Sequence, residues 1–73
     1  MNIEKVKLRV NEYKGKKLHF RFNGSRNQIE EFSGIIEGTY DYVFTIRTHE
    51  NNFLKSFSYS DVLMKKLVVL NGN

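Results

Sequence analysis

Between Lys17 and Phe22 the chain alternates strictly, with Lys17, His19 and Arg21 ionisable and Leu18, Phe20 and Phe22 apolar. A period of two sends successive side chains to opposite faces, so this segment reads as a half-buried strand with the leucine and the two phenylalanines inward. A strand with one apolar face needs further strands and a cover for that face. The rest of a 73-residue chain must supply both.

The segment before it supplies a cover. Ile3, Val6, Val10 and Tyr13 recur at spacings of three and four, behind Asn2 as a capping residue, which predicts a helix over about 2–13. Leu8 lies off that stripe, and Gly15 after Lys14 is a stop signal. Beyond the first strand, Asn23-Gly24-Ser25-Arg26-Asn27 reads as a turn, and Ile29–Glu37 as a second strand. Gly34 inside that strand predicts a bulge or sharp bend. Gly38–Asp41 reads as a connection, Val43–Arg47 as a third strand and His49–Asn52 as a polar loop. The fourth strand spans Phe53–Tyr59, with Phe53, Lys55, Phe57 and Tyr59 on one face. Ser60–Met64 is long enough for a single helical turn, and the apolar run Leu67–Leu70 reads as a central or closing strand. The predicted fold is mainly β: a small, partly open, five-stranded antiparallel barrel of SH3-like or Sm-like architecture. A short N-terminal helix precedes it, and a one-turn helix precedes the last strand. The expected organisation is one domain over residues 1–73, with the helix in 1–14 and the barrel in 15–70.

So small a domain buries about 60–65% of its unfolded surface and is only marginally stable. With no cysteine, it has neither disulfides nor thiolate metal ligands. His19 and His49 are the only imidazoles, and no Gly-x-Ser-x-Gly elbow, dinucleotide fingerprint or phosphate loop accompanies them. We therefore expect no enzyme activity, no metal and no cofactor. His19 is expected on the solvated face of its strand. Met1–Lys7 lacks an apolar signal core, and no run reaches a membrane-spanning length, so a cytoplasmic protein without membrane association is expected.

Charge is uneven. Residues 1–26 carry eight basic groups against two acidic ones, a net of +6, whereas 27–61 carry two against six, a net of −4. Lys14, Lys16, Lys17, Arg21 and Arg26 form the candidate surface for a partner or a polyanion. Phe20 and Phe22 point inward and offer no stacking platform, although Tyr40 and Tyr42 near a turn are candidates for exposure.

Gly15-Lys16-Lys17-Leu18, Asn23-Gly24-Ser25-Arg26, Ser33-Gly34-Ile35-Ile36, Thr39-Tyr40 with Val43-Phe44, and Ser58-Tyr59-Ser60-Asp61-Val62-Leu63 follow one another in a characteristic order. As an ordered set they resemble the Veg proteins of Gram-positive bacteria, and the resemblance covers nearly the whole chain, through Leu70. It implies a short cytoplasmic SH3-like barrel that stimulates biofilm formation by opposing a transcriptional repressor of matrix genes. It also implies structural roles for Gly15, Gly24, Gly34, Tyr40, Phe44, Ser58, Tyr59 and Asp61. The expected partner is thus a protein, a transcriptional regulator or its associate. A small nucleic-acid-binding barrel using the basic face is the alternative, and a homodimer is compatible with so small a core.

Overall fold

The computed structural model describes residues 2–25 and 28–72. Its elements follow the order α1 (Ile3–Tyr13), β1 (Lys17–Asn23), β2 (Ile29–Thr39), β3 (Val43–Thr48), β4 (Leu54–Ser58), α2 (Tyr59–Leu63) and β5 (Leu67–Gly72). Asn2 caps α1, its side-chain oxygen accepting the Lys5 N–H at 2.9 Å. Val6 and Val10 are buried, Ile3 and Tyr13 pack against the same core, and Leu8 is exposed, as the helical period requires. Gly15 takes φ +86°, the left-handed conformation that releases the chain from the helix, and its N–H donates to the Ile36 carbonyl.

The five strands form one antiparallel sheet in the order β4-β3-β2-β1-β5. The sheet is not closed. β4 and β5 are its two edges, and no ladder joins them among the described residues. One face carries the core: Leu18 and Phe20 of β1, Ile36 of β2, Phe44 and Ile46 of β3, Phe57 of β4 and Leu67 of β5, covered by Val6, Val10 and Tyr59. Neighbouring rings run across it, Phe20 to Phe32 at 5.4 Å, Phe32 to Phe57 at 5.8 Å and Phe44 to Tyr59 at 5.4 Å. These offset and tilted pairs add to the burial of the rings themselves.

Five details differ from the expectation. The irregularity in β2 falls between Ile36 and Gly38, not at Gly34, which stays in register with Leu18 on one side and Thr48 on the other. β2 also continues through Gly38 and Thr39, which pair with Thr45 and Phe44 of β3 beyond the register shift, while the Gly38 N–H donates to Thr45 Oγ1. Phe53 lies before β4 and is exposed, since its N–H is taken by Thr48 Oγ1 and its carbonyl by the Thr48 N–H. Tyr59 is not the last strand residue but the first of α2, where its ring is buried. Finally, β5 is an edge strand, so Val69 and Leu70 each remain 39% exposed despite their apolar character.

A reciprocal cap fixes α2. Ser58 Oγ accepts the Asp61 N–H at 3.1 Å, and Asp61 Oδ2 accepts the Ser58 N–H at 3.2 Å. A helix this short has little cooperativity of its own, so the cap and Tyr59 hold it. Ser58→Ala is expected to lower stability by about 1 kcal/mol, read as a fall in the urea midpoint at unchanged slope.

Candidate functional site

Lys14 is the C-terminal cap of α1, Lys16 follows the turn, and Lys17 opens β1, all of them exposed. Arg21 projects from the same face of β1, about 13 Å further along at the strand rise. Arg26 lies outside the described residues. Lys14, Lys16 and Lys17 thus gather at the α1–β1 junction and Arg21 follows further along β1, but the neighbour across the ladder from Arg21 is acidic. Glu31 of β2 sits directly across from Arg21, and its carboxylate lies 3.2 Å from His19 Nε2. The outer face continues as a mixed-charge ladder. Arg47 donates through Nε and Nη2 to Glu37, at 3.1 and 2.9 Å, which lowers the Glu37 pKa and raises that of Arg47. On the other face, Lys55 reaches Glu30 at 2.8 Å. A polyanion laid along Lys17 and Arg21 would meet Glu31 as well.

His19 is not simply solvated. It is half-buried on the outer face, with Nδ1 2.9 Å from Ser33 Oγ and Nε2 close to Glu31. Serine, histidine and carboxylate are therefore in contact, but from adjacent positions of paired strands. In a strand the side chain stands perpendicular to the sheet while N–H groups lie in its plane. The backbone amides around Ser33 consequently point along the sheet and not toward its Oγ, where an oxyanion would need them. The trio cross-links β1 to β2. Among the described residues, no group of three or more His, Cys, Asp or Glu side chains is gathered as a metal site would require. No helix among the described residues is long and apolar enough to cross a membrane.

The family-motif positions fall in different settings. Phe44 and Tyr59 are in the core, Gly34 is buried, and Gly24 donates its N–H to the Gln28 carbonyl at 2.8 Å. Tyr40 and Tyr42 are exposed, and the Tyr40 carbonyl accepts the Tyr59 hydroxyl at 2.7 Å.

A different surface is more unusual. α1, α2 and β5 enclose a groove of about 470 Å³ lined by Arg9, Tyr13, Val62, Leu63, Lys65 and Val69, among others. Beneath it an apolar cavity of about 40 Å³ reaches Phe20, Ile36 and Phe44. The groove runs beside the free edge of β5, which has no strand partner among the described residues. Exposed strand edges offer backbone donors and acceptors to another chain. Arg9 and Lys65 are exposed cations at its rim, and neither belongs to an ion pair among the described residues. None of the described residues lining it is acidic. Its components come from residues 6 to 69, so no local pattern announces it. The one available signal was the length of the apolar run Leu67–Leu70, more than a short edge strand can bury.

A protein-family model described as "Biofilm formation stimulator VEG" matches residues 1–70. No curated protein matches the chain.

Proposed function

The chain belongs to the VEG family of biofilm formation stimulators, and on that premise we propose that it is a non-enzymatic binding module. It works by docking a protein partner in the groove between α1, α2 and the free edge of β5. The partner is a transcriptional repressor of biofilm matrix genes or a protein associated with it, and occupancy relieves repression. We read the five-strand order, with one helical turn before the last strand, as an SH3-like or Sm-like barrel left open between β4 and β5.

One observation carries this reading: a free strand edge and an apolar groove lie side by side, while the basic face of β1 is interleaved with Glu31. Main-chain pairing supplies affinity in such additions, and adjacent pockets for alternate side chains supply selectivity. Nucleic acid, by contrast, favours a continuous cationic track with exposed aromatic platforms.

The test is complementation of a Gram-positive strain lacking its own family member. Val69→Lys alters an edge side chain that is already 39% exposed, and is expected to abolish biofilm stimulation with the circular dichroism spectrum unchanged. Lys17→Glu with Arg21→Glu is expected to leave stimulation intact. The opposite pattern, activity in Val69→Lys and loss in the charge reversal, would transfer the function to the basic face and to nucleic acid.

A further inference from the structure

We propose that the segment accepted by the groove is a short extended peptide alternating acidic with small branched apolar residues. This rests on the docking reading above and adds the chemistry of the occupant.

The charge of the site sets the first half of that chemistry. Arg9 from α1 and Lys65 from the turn after α2 stand on its rim, without an acidic lining residue and without an ion-pair partner among the described residues. Cations left unneutralised around an apolar floor attract carboxylates and repel basic segments, and like-charge juxtaposition is how an interface rejects wrong partners. The floor sets the second half. Val62, Leu63 and Val69 line it, and the 40 Å³ cavity below has room for the tip of one small apolar side chain. An extended segment presents alternate residues to opposite sides, so apolar positions can face the floor while acidic positions face the rim.

The ladder limits the segment's length. Phe20 of β1 pairs with Val69 and the preceding His19 pairs with Asn71, so Leu70 is an extra residue in β5. Such a bulge breaks regular pairing and twists the edge. A guest strand can therefore add in register along Leu67, Val68 and Val69 and no further. This same feature disfavours a second copy as the occupant. A two-fold contact of β5 against β5 would meet two bulges and would bring the Arg9 and Lys65 rims of both copies together. Nucleic acid is disfavoured by the floor. Its aromatic lining residue, Tyr13, is half-buried, with Lys16 Nζ 5.9 Å from its ring centre.

The experiment titrates the isotopically labelled full chain with blocked peptides alternating glutamate with valine or lysine with valine, and with an oligothymidylate, followed by NMR. The glutamate peptide is expected to bind, shifting the amides of Leu67–Val69 and the side chains of Arg9 and Lys65, with the lysine peptide about tenfold weaker. Arg9→Glu with Lys65→Glu is expected to reverse that preference. Arg9→Gln with Lys65→Gln, a milder change, is expected to erase it, and serves if the reversed variant fails to fold. Equal binding of the two peptides, no binding, shifts elsewhere, or tighter binding of oligothymidylate at the rim would each overturn the proposal. The biofilm assay separates it from the reading it rests on. If Arg9→Glu with Lys65→Glu stimulates normally while Val69→Lys does not, the acidic class is wrong and the docking site stands. If Val69→Lys also stimulates, the docking site itself falls.

Discussion

Gly34→Val is expected to lower the melting temperature by about 10–25 °C, leaving a large unfolded fraction at 37 °C. A β-carbon at this position would sit 2.6 Å from the Arg47 carbonyl oxygen and 2.7 Å from Ile46 Cγ2. The oxygen cannot retreat cheaply, because Arg47 is in register with Ile35 in the β2–β3 ladder and with Leu54 in the β3–β4 ladder. Nor can β2 move away, since Gly34 is itself paired with Leu18 on its other side. Valine adds two further carbons, so the overpacking cost is about 3 kcal/mol. A chain this size has roughly 4–11 kcal/mol of stability in all. Gly24→Ala is the control, because a β-carbon there meets the Gln28 carbonyl at an ordinary 3.5 Å. It should change stability by no more than about 0.5 kcal/mol. Equal melting temperatures for Gly34→Val and the unmodified protein would show that β2 and β3 do not approach this closely.

Tyr59→Ala is expected to cost about 4 kcal/mol and Tyr59→Phe about 1 kcal/mol, measured by urea unfolding. The ring is 2% exposed, lies 5.4 Å from Phe44, and has Lys7 Nζ 5.7 Å from its centre. Truncation to alanine empties a central part of the core and loosens α2, which begins at this residue. Phenylalanine keeps the packing and removes only the hydroxyl that donates to the Tyr40 carbonyl. Burial raises the pKa of this phenol, and the negative charge of Asp41 raises it further. The folded chain therefore holds the proton at pH values where the unfolded chain, with an ordinary phenol near 10, has lost it. The stabilisation is fully present below about pH 10 and is lost as pH climbs from there through the folded value. Stability should fall less steeply with pH in that window for Tyr59→Phe than for the unmodified protein. Identical slopes would mean that Tyr59 ionises as freely in the folded state as in the unfolded one.

Much of the core was legible in advance because its residues obey a local period. The stripe Ile3, Val6, Val10, Tyr13 and the alternation Leu18, Phe20, Phe22 each identify an inward face from a few consecutive residues, and each does face the core. Position within the sheet was not legible in the same way. Leu67–Leu70 has the composition of a central strand, yet only Leu67 is buried, because the far side of β5 has no strand partner among the described residues. Gly34 was legible as a special residue but not for its reason. A glycine in a strand reads as a bulge, whereas here it lets β3 approach while the register shift occurs beyond Ile36. The basic candidates Lys14, Lys16, Lys17 and Arg21 are exposed as expected, but the placement of Glu31 opposite Arg21 depends on the strand register. Arg9 and Lys65 were merely two more cations until folding brought them to one groove.

By itself, the order of apolar and polar residues determined that this chain makes a helix and antiparallel strands, which faces of them seek burial, and that its core is aromatic. Those properties are local, because a side chain's direction depends only on its position within its own element. Tertiary structure alone decided that β4 and β5 are edges, that a groove opens beside β5, and which charges are neutralised. These depend on partners distant in the chain, and a backbone edge is free or paired according to what the whole sheet places beside it.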